Sequence, residues 1–483
     1  MPEIVLGPLV GGLSHNSAKL WARADGPGML HAWIGQKPDL SDAQHAGAAL
    51  LVASSGFAAR VPVQHLQPET TYHYTLTLTD TPPSPQGAPY PAFTTAPLPG
   101  TITDFTFAFG SCFLPGKRYD GAVLRQLDAL RSARKVRFLL MLGDQIYADV
   151  WGGNGIGRVA LTEDDYRAVY RHTWGHPAWR GLMKNMPVFM TLDDHEVDDD
   201  WAWTSSARYA GRIPGYHAPK RWLRRCPAEA RRLSHRRIQA AIQVYWEHQM
   251  MHAPDLLHPP EGIEHDRPLL LPADEGNFAY TFTYGPAAFF VMDTRTQRIH
   301  GQRMLNRAQW EALETWLLDV KDRFPVKFIV SSVSVLYEMW GDLSCDRWNG
   351  YPDERRRLLH LLAANRVQNV YILSGDLHTA HAVETELRTP EGGAVTVWEF
   401  CSSPFEQVPN KIARWLRRRV RVHPVIRQQV HFHLAEPNVG LVQVTFESQQ
   451  PRVRFDIYDH RGLARYSVEH PASARQTPPV SPS

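Results

Sequence analysis

Phe138-Leu139-Leu140-Met141-Leu142 is an apolar run that stops abruptly at Gly143-Asp144-Gln145-Ile146-Tyr147-Ala148-Asp149. A run this short, bounded by turn residues, reads as a strand buried on both faces, and the polar cluster is what projects from its carboxyl end. The same arrangement recurs three times. Thr106-Phe107-Ala108-Phe109-Gly110 ends in Ser111-Cys112, and Val188-Phe189-Met190-Thr191-Leu192 ends in Asp193-Asp194-His195-Glu196. Val370-Tyr371-Ile372-Leu373-Ser374 ends in Gly375-Asp376-Leu377-His378. Ligands of α/β sheets collect outside the carboxyl ends of the strands, so four such ends predict one common site. Gly143 and Gly375 would let the chain turn tightly before each Asp.

The residue types say what that site takes. Asp, His, Tyr and Cys together suit a transition metal better than bare Mg²⁺ or Ca²⁺ chemistry. Several carboxylates in one place repel one another unless metal charge compensates. A pair of ions about 3.5–4 Å apart, bridged by a carboxylate, fits this donor set. Each cluster alone has a plainer reading. A Gly-Asp after a strand is commonly a turn, a single Cys112 is commonly a small buried hydrophobe, and Asp193, Glu196 and Asp198 to Asp200 would make a solvated acidic loop. Four clusters in one chain weigh against four coincidences.

Working outward, residues 1 to about 95 read as all-β. Between Thr71 and Asp80 the chain alternates Tyr72, Tyr74, Leu76 and Leu78 with His73, Thr75, Thr77 and Thr79, the pattern of a half-buried strand. Leu66, Pro68, Thr70 and Tyr72, at every second position, resemble the tyrosine corner of immunoglobulin- and fibronectin III-like sandwiches. The stretch from Thr81 to Gly100 holds seven prolines and reads as a stiff linker. Beyond it, apolar runs alternate with helix-period stripes. Val123, Leu124, Leu127 and Leu130 form one. Leu305, Trp310, Leu313, Trp316, Leu317 and Val320 form another, with Asn306 and Gln309 at its N-cap and N3. The expected layout is a β-sandwich with its Pro-rich linker over 1–98, an α/β domain over 99–470 and a flexible tail over 471–483.

Composition limits the alternatives. The 483 residues carry 52 Lys+Arg and 49 Asp+Glu, a formal charge of +3, with 43% apolar residues. These values exclude wholesale disorder and give no global drive towards nucleic acid. No apolar stretch approaches the ~20 residues that span a bilayer. Cys112, Cys226, Cys345 and Cys401 are too dispersed for a disulfide framework. With no basic-apolar leader or twin-arginine signal after Met1, a cytoplasmic location is expected.

Beside the other three clusters, the carrying motifs are Phe109-Gly110-Ser111-Cys112, Met292-Asp293-Thr294-Arg295, Asp346-Arg347-Trp348-Asn349-Gly350-Tyr351-Pro352 and Glu399-Phe400-Cys401-Ser402-Ser403-Pro404. Together they resemble the alkaline phosphatase D (PhoD-like) family of calcineurin-like metallophosphoesterases over roughly residues 105–405. The resemblance implies a four-layer αββα sandwich preceded by a small all-β sandwich. It implies Cys112, Tyr147 and His378 as ligands of Fe(III), Asp144 as the carboxylate bridging both ions, and Asp194 and Asp376 as ligands of a second, harder ion, Ca²⁺. Two divalent ions such as Mn²⁺ or Zn²⁺ are the alternative.

The implied activity is metal-dependent hydrolysis of phosphate esters, of alkaline phosphatase or phosphodiesterase type. A metal-bridging hydroxide would attack phosphorus in line, with His195 assisting the leaving group. Glu196 is the expected orienter of that imidazole. Arg295 would clamp a substrate phosphate or else serve a structural pair. The competing readings are a non-catalytic metal- and phosphate-binding protein and a phosphodiesterase directed at lipid or polymer.

Two basic runs remain, Arg221 to Arg237 and Arg414 to Arg421. The first reads as a solvated helix face over a packed one (Ile238, Ile242, Tyr245, Trp246), or as a collar that draws in anionic esters. The second fits the same collar or an anionic lipid surface, and lacks the aromatic interleaving of a single-strand nucleic-acid groove. Trp340, Trp348 and Tyr351 would wall the pocket or fill the core. The expected partner is a small phosphoester, with no specific nucleic acid; the sequence leaves the oligomeric state open.

Overall fold

A computed structural model describes residues 2–203, 212–214, 232–272, 274–339 and 346–471. Two mixed sheets lie face to face. The first has strand order Val188–Thr191, Val136–Leu142, Phe105–Gly110, Asn438–Glu447, Gln450–Asp459, Ala464–His470. The second runs Tyr280–Tyr284, Ala287–Val291, Val326–Val330, Val370–Ser374, Ala394–Cys401, Ala380–Arg388, Val425–Leu434. All four apolar runs singled out in the sequence are strands, and Phe105–Gly110, Val188–Thr191 and Val370–Ser374 are buried at every residue. That is what a strand covered on both faces requires.

Phenylalanine joins the sheets. Phe107, Phe138 and Phe189 of the first meet Phe328, Phe289 and Phe282 of the second, with ring centroids 5.1, 5.8 and 3.8 Å apart. Each such pair adds about 0.5–1.5 kcal/mol beyond its area burial. Helices close the outer faces. Ala122–Ala133 packs against Val136–Leu142 on one side, and Arg307–Val320 and Pro352–Ala364 cover the other sheet. The first of these buries Val123, Leu124 and Leu127, and Arg307–Val320 buries Trp310, Leu313, Leu317 and Val320. Asn306 is its N-cap and accepts from the Gln309 amide at 3.0 Å. The architecture is the expected αββα sandwich.

The N-terminal part is all-β. A three-stranded sheet (Ile4–Gly11, Ala18–Ala24, Ala58–Val63) faces a four-stranded one (Gln44–Leu51, Gly28–Gly35, Thr71–Thr77, Ala92–Thr94). The tyrosine corner is present: the Gln67 amide donates to the Tyr72 hydroxyl at 3.0 Å. One detail differs from the sequence reading. Ala92–Thr94, inside the Pro-rich stretch, is a strand, and it lies at the sheet's edge, where flanking prolines cost no ladder bond. The sandwich packs on the α/β body through Trp21, whose indole N–H donates to the Glu247 carbonyl at 2.9 Å.

Most of the Arg221–Arg237 run, the residues Cys226, Trp340 and Cys345, and the tail after Pro471 lie outside the described residues. Arg237 is described and is no part of a solvated face. It is buried and paired with Asp198 at 3.0 Å. Ile238, Ile242, Tyr245 and Trp246 are buried as expected. Trp348 and Tyr351 are core residues and not pocket walls: Trp348 is fully buried and Tyr351 is 3% exposed. Among the described residues no helix is long and apolar enough to cross a membrane.

Candidate metal centre

Three of the four polar clusters leave neighbouring strands of the first sheet, and the fourth leaves Val370–Ser374 across the sheet interface. They converge. Cys112 Sγ lies 3.3 Å from Asp144 Oδ2. The Tyr147 hydroxyl lies 3.4 Å from the same oxygen and 3.4 Å from His378 Nε2. Donor atoms of Cys112, Asp144 and His378 fall within 4.8 Å of one another, and so do those of Asp144, Asp194 and His195. Asp144 belongs to both sets. A third set joins Asp194 to Asp199 and Asp200.

The backbone there is unusual. Cys112, Asp144, Asp376 and His378 adopt φ of +64°, +54°, +64° and +52°. Non-glycine residues rarely occupy that region, and each costs of order 1–3 kcal/mol. Four of them at three of the four strand ends mean that the surrounding fold holds these side chains in place at the expense of backbone comfort. Gly143 has φ +93°, and a Cβ there would sit 2.3 Å from Asp193 Cβ. Gly375 is needed for close approach instead: its Cβ would meet Ser111 Oγ at 2.4 Å.

Burial raises the Asp144 carboxyl well above its ordinary range, and the nearby Cys112 adds to this. Burial does the same to Asp376, reinforced by Asp346. The Cys112 thiol is pushed up to about 12 by burial, and the Tyr147 phenol is also raised by burial. Burial lowers His378 to about 4, which keeps it neutral and able to donate a lone pair. Asp194 Oδ1 is buried without a hydrogen-bond partner. A cation answers all of these at once: it takes the orphaned oxygen, offsets carboxylate repulsion and favours thiolate and phenolate. The residues present therefore fit metal binding.

Four expectations change in detail. His195 is not oriented by Glu196. Its Nδ1 bonds Asp149 Oδ1 at 2.8 Å, while the Glu196 carboxylate accepts from the amides of Asp144, Gln145 and Asp193 at 3.1, 2.8 and 3.0 Å and so pins the two loops together. Burial lowers the pKa of His195, but Asp149, Asp194 and Asp144 outweigh this and raise it well above the ordinary value.

Arg295 is not a phosphate clamp. It is fully buried and its guanidinium is taken by Asp193 and Asp346, with Nη2 3.8 Å from Asp194 Oδ2. Asp193, Glu196 and Asp198 are buried, so the acidic loop is no solvated surface. Asp376 joins none of the close donor sets and instead meets Arg347 Nη1 at 3.1 Å.

Asp149 and Arg347 were both within quoted motifs but carried no assigned role. A carboxylate five residues after Asp144 on the same loop was the available signal for Asp149. Nothing in the sequence marked Arg347 as the partner of Asp376. Second contacts complete the frame. Ser403 Oγ lies 3.3 Å from Cys112 Sγ and accepts from the His378 amide at 3.2 Å, and Ser111 Oγ accepts from the Asp376 amide at 3.1 Å.

Two apposed sheets with side chains able to ligate a metal gathered at their strand ends define a fold of the calcineurin-like metallophosphoesterase class. Residues 107–470 match the family described as PhoD-like phosphatase, and the chain belongs to it. Alkaline phosphatase D of Bacillus subtilis (strain 168) is 24% identical over 427 residues, covering 78% of this chain. The chain spans 64% of that relative's length. The solved structure of PhoD aligns over 98% of this chain and 93% of its own, at TM-score 0.70 and 18% identity. The purple acid phosphatase PPD1 from yellow lupin aligns over 97% of this chain and 74% of its own, at TM-score 0.58 and 12% identity. These structures show the fold.

Proposed function

We propose that this chain hydrolyses phosphate esters in a metal-dependent reaction. The supporting observation is the convergence of Cys112, Asp144, Tyr147, Asp194, His195 and His378 from four strand ends into donor sets that share Asp144. Cys112, Tyr147 and His378 offer sulfur, phenol and imidazole, a set suited to Fe(III), with Asp144 between the two positions. Asp194 and Asp376 offer only carboxylate oxygen, which suits Ca²⁺. Two divalent ions such as Mn²⁺ or Zn²⁺ are the second assignment.

Metal ions held there supply positive charge for the phosphoryl oxygens and acidify coordinated water. The chain's own part is positioning and proton transfer. Asp149 fixes the His195 ring through Nδ1 and favours its protonated form. Nε2 then gives its proton to the leaving alkoxide as the water oxygen bonds phosphorus and the ester P–O bond breaks, and water restores the proton to His195. The Asp149–His195 pair is what a purely structural metal site has no use for, which disfavours the non-catalytic reading.

Purified protein is expected to hydrolyse p-nitrophenyl phosphate or bis-p-nitrophenyl phosphate, to stop on chelation, and to recover when metal is returned. Elemental analysis and a tyrosinate charge-transfer band absent from Tyr147→Phe would identify iron. Hydrolysis that persists in excess chelator overturns the proposal.

A further inference from the structure

After the strand Ala394–Cys401 the chain passes directly over the metal-ligand cluster. The Phe405 and Glu406 amides bond the Ser111 and Cys112 carbonyls at 2.8 and 3.0 Å, and the Asn410 amide bonds the His378 carbonyl at 2.9 Å. It then forms a short helix, Ala413–Leu416, followed by Arg417–Arg418, which pair with Glu338–Met339. The helix is anchored from behind. Ala413 is fully buried, and its carbonyl accepts from the Tyr337 hydroxyl at 3.1 Å.

The outer surface of this anchored segment is apolar and basic together. Trp415 and Val408 are 77% and 75% exposed, the two most exposed large apolar side chains among the described residues, and Ile412 is 63% exposed. Between Glu406 and Glu436 no acidic residue occurs, while Lys411, Arg414, Arg417, Arg419 and Arg421 are all exposed. The Arg414 guanidinium lies over the Trp415 ring, 5.4 Å from its centroid.

We propose that residues 408–421 are a docking surface for an anionic lipid bilayer. Indole settles at the headgroup level, aliphatic side chains enter the acyl boundary, and each Lys or Arg is attracted to the negative potential of an anionic leaflet. Exposed Val408 and Ile412 have no use in a nucleic-acid groove, where flat rings and positive charge suffice. The charge complements anionic lipid and nothing acidic on the segment opposes it.

The seat also bears on substrate. Asn410, which contacts His378, is five residues from Trp415, at most about 18 Å of chain. A docked molecule therefore holds its site at the headgroup layer, within reach of phosphate esters borne by lipids. This substrate class rests on the hydrolytic reading above; the docking surface does not.

The test is sedimentation of the full chain with phosphatidylcholine vesicles, with and without phosphatidylglycerol, for the wild type, Ile412→Ser/Trp415→Ser and Arg414→Gln/Arg417→Gln. Binding is expected only with phosphatidylglycerol, weakened by salt, and at least about tenfold weaker in both double variants. Wild type that stays in the supernatant, or variants that bind equally, overturn the proposal. So does a concentration-dependent dimer, lost in Ile412→Ser/Trp415→Ser, without vesicle binding; the patch would then join two copies. Turnover is a separate readout: the variants should hydrolyse soluble p-nitrophenyl phosphate like the wild type, and no hydrolysis by any form would fault the reaction while leaving the vesicle result to stand.

Discussion

The two halves of the candidate metal centre are built differently. On one side Cys112, Asp144, Tyr147 and His378 approach one another to 3.3–3.4 Å, and among the described residues no guanidinium bonds any of them. On the other, each carboxylate already has a cation at hand. Asp376 meets Arg347 at 3.1 Å and Asp194 has Arg295 at 3.8 Å. The first half is arranged to receive a cation; the second is arranged to wait for one. A nearby Arg offsets part of the carboxylate repulsion, so an incoming ion must compete with side-chain charge. The expected consequence is one tightly held and one exchangeable metal.

Asp144 belongs to both halves, and changing it should do the most damage. Asp144→Asn is expected to release both ions and lower kcat/KM by roughly 10³-fold or more, since metal charge stabilisation is worth several kcal/mol. Elemental analysis beside steady-state kinetics checks this. A variant that keeps one full equivalent of metal would mean the halves do not share the residue. Asp149→Asn tests the imidazole that stands beside both. With its Nδ1 partner weakened, His195 loses orientation and positive charge, and kcat should fall about 10–100-fold. KM and metal content should stay at wild-type values. A drop in metal content instead would make Asp149 part of the ligand shell.

The contrast between the halves also marks what the sequence could reveal. The four strand ends were legible because a buried strand is a short apolar run, and its polar terminus stands out against it. Cys112, Asp144, Asp194 and His378 could be placed on that basis. The tyrosine corner and the Asn306 cap were legible because both are local, with partners five and three residues apart. The guanidinium pairs were not. Arg295 reaches Asp193 and Asp346, and Arg347 reaches Asp376, across separations that only the finished packing fixes. An Arg beside a strand end looks the same in sequence whether it faces substrate or is sealed behind the ligands. Glu196 and Asp149 illustrate the same limit at short range: both flank the site, and the turn geometry alone decides which carboxylate meets the imidazole.

The smallest expected effect is the sharpest test of the asymmetry. Arg347 and Asp376 are mostly buried, at 14% and 16% exposure, and their ion pair sets a guanidinium against any ion that would use the same carboxylate. Arg347→Gln removes the competing charge while leaving the carboxylate in place. If Asp376 serves the exchangeable ion, that ion should bind roughly two- to fivefold more tightly in the variant, and the tightly held metal should be unaffected. Equilibrium dialysis against a graded chelator separates the two. Weaker binding of the exchangeable ion would show that Arg347 supports the ligand geometry more than it competes with it, and equal loss of both ions would erase the distinction between the halves.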